Sequence, residues 1–161
     1  MGFFSRRRPL NLPPLVEPPK AGEPIEFDEE EQAAIDKEIE YQYRTFYKDK
    51  VFPKEVAQQI SDMYGEIALH DLAKRRLSRR DFRGAASTCI KLLGLTSQKA
   101  MQPSYWLLLA EIHAEYGDMV RAESLVKTAK EKHKMNPILS EAVWKESVRR
   151  IEDIIKSKQK R

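Results

Sequence analysis

Residues 103–129, PSYWLLLAEIHAEYGDMVRAESLVKTA, decide the fold of this 161-residue chain. Trp106, Leu109, Ala110 and His113 fall at i, i+3, i+4 and i+7, one face of a helix that has to be buried. Gly117-Asp118 then breaks the helix, because Gly accepts a positive φ at a helix end and Asp caps the next helix. Ala122, Val126 and Ala129 make a small-residue stripe on the second helix, which lets two antiparallel helices approach closely. Thirty-seven residues upstream the same pattern returns: Leu69, Leu72 and Ala73, then Asp81-Phe82-Arg83-Gly84-Ala85, then Cys89 and Leu92. In that first copy Arg80 stands where the second has Gly117, and Arg76 stands where the second has His113.

Trp106, Leu109, Ala110, Gly117, Asp118, Ala122 and Ala129 carry the spacings of a tetratricopeptide repeat, which residues 69–135 resemble. The chain departs from that pattern in four ways. Arg76 and His113 replace its Tyr, Arg80 its Gly, and Lys134 its closing Pro, while the period is 37 where the family has about 34. The resemblance implies an all-α fold of antiparallel helical hairpins, about 66–98 and 103–135. It also implies a concave groove lined by residues flanking each first-helix stripe. Those are Ile67, His70, Lys74 and Leu77 in the first copy and Ser104, Leu107, Glu111 and Ala114 in the second. A groove of mixed character suits another protein, although the asparagines of carboxylate-clamping members are missing. A small bundle with no open groove remains the plain alternative.

Around the hairpins, Asp28 with Glu31 three residues on forms a capping-box pattern, so a helix starts there, with Ile35, Ile39, Tyr43 and Phe46 as its apolar stripe. Pro53 suits the first turn of the next helix. Within 53–79 the stripe Val56, Ile60, Met63, Ile67 gives way to Leu69, Leu72, Ala73 half a turn away, which predicts a break or bend at Gly65 first, and one long helix buried on both sides second. A last helix over 137–157, with Leu139, Val143, Val148, Ile151, Ile155 and Trp144, reads as a cap over the stack. The segment 1–25 holds six prolines by residue 24 and reads as a disordered basic arm, and 158–161 as a basic tail. The folded domain is therefore expected over 26–157.

Charge is segregated: residues 26–49 hold nine acids and three bases, whereas residues 50–100 hold ten bases and five acids. The two stretches attract each other, or the basic one meets an outside anion. Lys74, Arg75, Arg76, Arg79, Arg80 and Arg83 concentrate six cations in ten residues. Docking of an acidic helix or protein segment ranks first there, and RNA or a ribosome second, since no aromatic platform for bases accompanies the cations. The segment Met1–Arg8, with Phe3, Phe4 and three arginines, suits weak contact with an anionic membrane.

No apolar run approaches the ~20 residues of a membrane span. With one cysteine, Cys89, no internal disulfide forms; its place on a packing face makes it a buried small hydrophobe. His70, His113 and His133 lack metal-ligand spacing, no glycine-rich phosphate loop occurs, and no nucleophile elbow surrounds a serine. The expectation is a cytoplasmic, non-catalytic adaptor or assembly subunit with no cofactor and no small-molecule substrate.

Overall fold

The computed structural model describes residues 15, 24–48, 50–95, 101–137 and 139–160. Among them every regular element beyond a single 3₁₀ position is an α-helix, and none is a strand. The six helices divide into two compact units: residues 18–97 form one, and residues 98–161 together with 1–17 the other.

The first unit contains α1 (Glu29–Phe46), α2 (Lys54–Ser78) and α3 (Phe82–Leu95). The capping box forms as the sequence indicates: Asp28 accepts from the Glu31 amide at 2.8 Å, and Glu31 accepts from the Asp28 amide at 2.8 Å. Pro53 is the N-cap of α2, where its missing donor costs nothing. Between α1 and α2 the rings of Tyr43, Tyr47, Phe52 and Tyr64 pack edge-on or tilted, with Tyr64 and Tyr47 sharing a 3.1 Å hydrogen bond. The apolar stripe of α1 thus runs Ile35, Ile39, Tyr43, Tyr47. Phe46, placed on that stripe by sequence, lies outside it and is 62% exposed.

The break expected at Gly65 does not occur: α2 runs uninterrupted for 25 residues. Its C-terminal half is buried on more than one side, with Tyr64, Gly65, Glu66, Ala68, Leu69, Leu72 and Ala73 all inside. The second stripe, Leu69, Leu72 and Ala73, is buried, whereas Val56 and Ile67 of the first are 37% and 47% exposed, so the change of stripe marks one uninterrupted helix with only its second stripe in the core, and the glycine within it costs about 1 kcal/mol. Each of the fully buried Leu69, Leu72 and Leu92 contributes roughly 1.5–3 kcal/mol of apolar transfer.

The second unit contains α4 (Gln102–Tyr116), α5 (Met119–Met135) and α6 (Glu141–Gln159). Its core joins Leu107, Ala110 and Ala114 of α4, Ala122, Val126 and Ala129 of α5, and Trp144, Val148, Ile151 and Ile155 of α6. Trp106 is partly buried and packs against this core. The last helix begins at Glu141, not Pro137, because the Ser140 hydroxyl accepts from the Val143 amide and fixes the N-terminus there. Leu139 accordingly precedes the helix and Val143 is 52% exposed, so neither belongs to its buried stripe. At the other end the helix continues through Lys158 and Gln159, which reach Glu115 (3.7 Å) and Glu123 (2.7 Å). The expected basic tail thus contributes to the helix up to that point. The arm of residues 1–23 falls outside the described residues except Leu15, which is buried.

The same turn joins the helices of each pair. Arg80 (φ 63°) and Gly117 (φ 108°) both hold left-handed backbone. The Arg80 amide donates to Leu77 O and the Asp81 amide to Arg76 O. In the second pair the Gly117 amide donates to Ala114 O and the Asp118 amide to His113 O. This is a Schellman closure in both cases. Asp81 then accepts from the Gly84 amide (3.0 Å) and Asp118 from the Arg121 amide (3.2 Å).

Candidate functional site

The acidic start of α1 and the basic segment of α2 meet in one buried ion network. Arg76 is 5% exposed and spends its whole donor fork on defined acceptors. Nε donates to Glu30 (2.9 Å), Nη2 to both Asp28 oxygens (3.0 and 2.8 Å), and Nη1 to Thr88 Oγ1 (2.7 Å) and Gly84 O (3.3 Å). The Thr88 hydroxyl in turn donates a hydrogen bond to Glu31 Oε2 at 2.7 Å, and Lys91 donates to Glu31 Oε1 at 2.5 Å. Glu31, fully buried, is thereby satisfied on both oxygens. Arg79 adds a bidentate contact to Glu30 at 3.1 and 2.9 Å.

These contacts set the electrostatics. Hydrogen bonds from Arg79, then Arg76, hold the Glu30 carboxyl at about 2. Partial burial of Asp28 raises its pKa, but the Glu31 amide and Arg76 outweigh this and leave it below the ordinary value. Burial works against the charge on Arg76, yet its bonds to Glu30 and Asp28 overcome that and raise it.

The basic cluster is consequently dispersed. Arg76 faces inward, Arg79 holds Glu30, Arg75 holds Asp71 at 2.9 Å, and Arg80 lies 5.1 Å from the Phe82 ring centre. Lys74 and Arg83 are exposed and make no salt bridge among the described residues. Charge segregation was visible in the sequence; that Thr88 and Lys91 of α3 complete the site was not, since neither carries a motif.

Of the residues expected to line a groove, the structure separates the two copies. Ile67 is 47% exposed and Lys74 is exposed, with His70 and Leu77 partly buried. Burial pushes the His70 imidazole down to about 4, with Lys74 adding to it. In the second copy Leu107 and Ala114 are core residues packed with α6, and Glu111 is engaged by Arg150 at 2.8 Å twice over. The second half of the expected groove is therefore closed: α6 supplies the apolar surface that Leu107 and Ala114 needed. Ser104 alone of those four is neither core nor paired in that way, and it is partly buried.

An open groove of about 580 Å³ does exist, between α1 and α2. Its floor is Ala33, Ala34 and Ala68; Tyr41 (58% exposed) and Ile67 stand at its sides, and Glu38, Lys37, Asp71 and Arg75 rim it. Sequence reading found Ile67 but not Ala33, Ala34 or Tyr41. These lie on a different face of α1 from its buried stripe and look like solvent-facing positions.

Burial drives the Cys89 thiol up to about 12 and lowers the His113 imidazole, and among the described residues no three metal-ligating side chains converge. No described helix is long and apolar enough to cross a membrane. Compared with family models, with curated proteins and with solved structures, the chain has no significant match.

Proposed function

We propose that this chain is a non-catalytic protein-interaction adaptor or assembly subunit, built as a small tetratricopeptide-like scaffold, that takes its partner in the α1–α2 groove. The repeat reading is supported by the Schellman turns at Arg80 and Gly117, 37 residues apart, each followed by an Asp cap. The binding reading rests on one observation: Ile67 and Tyr41 are exposed across an alanine floor. Large apolar side chains around a concave surface are what an interface core uses.

The rival reading, RNA or ribosome binding through Lys74–Arg83, is disfavoured because phosphates would have to compete with Glu30 and Asp71 for Arg79 and Arg75. Membrane contact through Met1–Arg8 concerns residues outside those described. Capture of partners by the full chain tests the proposal. Retention after nuclease treatment, with loss in Ile67→Asp, supports it; retention lost with nuclease overturns it.

A further inference from the structure

Resting on that reading, we infer that the α1–α2 groove takes one basic amphipathic helix from a partner protein. The groove is bounded by two helices, and the described residues offer no strand edge on which an extended peptide could pair. Ala33, Ala34 and Ala68 keep its floor low, so a third helix axis can approach to the roughly 8–10 Å of ordinary helix packing. From Glu30 to Tyr41 the lining of α1 spans roughly 16 Å, about three helical turns. Tyr41 and Ile67 then act as ridges between which the partner's apolar stripe sits.

Charge decides the flanks of that helix. Helix α1 carries six acids and two bases; Glu30 and Glu31 are already matched by Arg76, Arg79 and Lys91. Arg44 holds Glu40; Glu29 and Asp36 remain along the face of Ala33 by helical spacing, and Glu38 rims the groove itself. Lys37 is the one cation on the α1 side of the lining, and on the α2 side Asp71 and Arg75 cancel. An acidic border of this kind steers Lys/Arg-flanked helices in and repels acidic ones.

Two labelled 18-residue helical peptides with the same Leu/Ala stripe, one flanked by Lys and Arg and one by Glu, are titrated against the full chain. Binding is followed by fluorescence anisotropy and amide chemical shifts. The expected result is that the basic peptide binds at least about tenfold tighter and weakens as salt rises from about 0.05 to about 0.3 M. Its shifts should centre on Ala33, Ala34, Tyr41, Ile67 and Ala68. Ile67→Asp, or Tyr41→Ala should the first variant lose its helical circular dichroism, should weaken it about tenfold.

Equal affinity for both peptides overturns the inference, as do shifts centred on Lys74 and Arg83. So does a concentration-dependent dimer of the chain alone that Ile67→Asp abolishes, since the occupant is then a second copy. Nuclease-resistant capture lost in Ile67→Asp while neither peptide binds overturns this inference and leaves the adaptor reading standing; capture indifferent to Ile67→Asp overturns that reading.

Discussion

Arg80 and Gly117 occupy the same backbone state 37 residues apart, φ 63° and 108°, and each closes its helix with one i→i−3 and one i→i−5 hydrogen bond. The glycine holds this state without steric cost; the arginine carries a Cβ that crowds its own carbonyl, a penalty of about 1–2 kcal/mol.

The two positions should therefore answer oppositely to substitution. Arg80→Gly should stabilise the chain by about 0.5–1 kcal/mol, the gain being trimmed by the lost contact with Phe82. Gly117→Ala should destabilise by at least about 1 kcal/mol. Urea unfolding reads both; destabilisation by Arg80→Gly would mean that its side chain, not the turn, governs the site.

Removing Arg76 takes a cation from Asp28, Glu30 and the buried Glu31 and its donor from Thr88 Oγ1; with Asp28 and Glu30 more than 40% exposed and Glu31 still held by Lys91, Arg76→Ala should cost about 2–3 kcal/mol. Glu31→Ala should be of similar weight, and the double variant should cost clearly less than the sum, because the two share Thr88. Strict additivity in a double-mutant cycle would dissolve the network into independent contacts.

Acid should unfold the first unit in two stages. His70 has a folded value of about 4 against 6.5, so the unfolded chain binds the extra proton and stability falls as pH drops from about 6.5 to 4. Glu30 and Asp28 are lowered on folding, from 4.5 to about 2 for Glu30. Their contribution is present above the unfolded values and lost as pH falls below about 4.5 toward 2. His70→Gln should remove the first stage, while Arg79→Ala should soften only the second, modestly, because Glu30 is part-exposed. Melting temperature against pH distinguishes the stages.

In the second unit Trp144 is 5% exposed and its ring stacks on His133 at 4.1 Å, so Trp144→Ala should cost about 3–5 kcal/mol. Trp106 is only partly buried and its Nε1 is buried without a partner among the described residues. Trp106→Phe removes that donor and should stay within about 1 kcal/mol of the native chain. Thermal unfolding of the two variants checks the ranking.

Two helix beginnings were legible in the sequence because a side chain performs the capping: Asp28 and Asp118 cap as read, and Asp81 repeats the Asp118 cap in the first pair. Ser140 also caps with its side chain, yet the proline at 137 drew the expected start upstream of it. What was not legible depends on partners distant in sequence. Gly65 reads as a break only if both stripes of α2 have to be buried, and the first is not, with Val56 37% and Ile67 47% exposed. Leu107 and Ala114 read as groove lining until α6 covers them, and Arg76 reads as a surface cation until Asp28, Glu30 and Thr88 surround it. Ala33 and Ala34 carry no pattern at all, since an alanine's meaning lies in what approaches it.

Site-specific photocrosslinking separates a partner seated in the α1–α2 groove from one held at the basic cluster. A benzophenone amino acid is placed at Ile67 in one full-length chain and at Arg83 in another, and both are irradiated in native extract. A discrete, nuclease-resistant protein adduct is expected from position 67 and none of comparable yield from position 83. An adduct confined to position 83, sensitive to nuclease, would contradict binding in the groove.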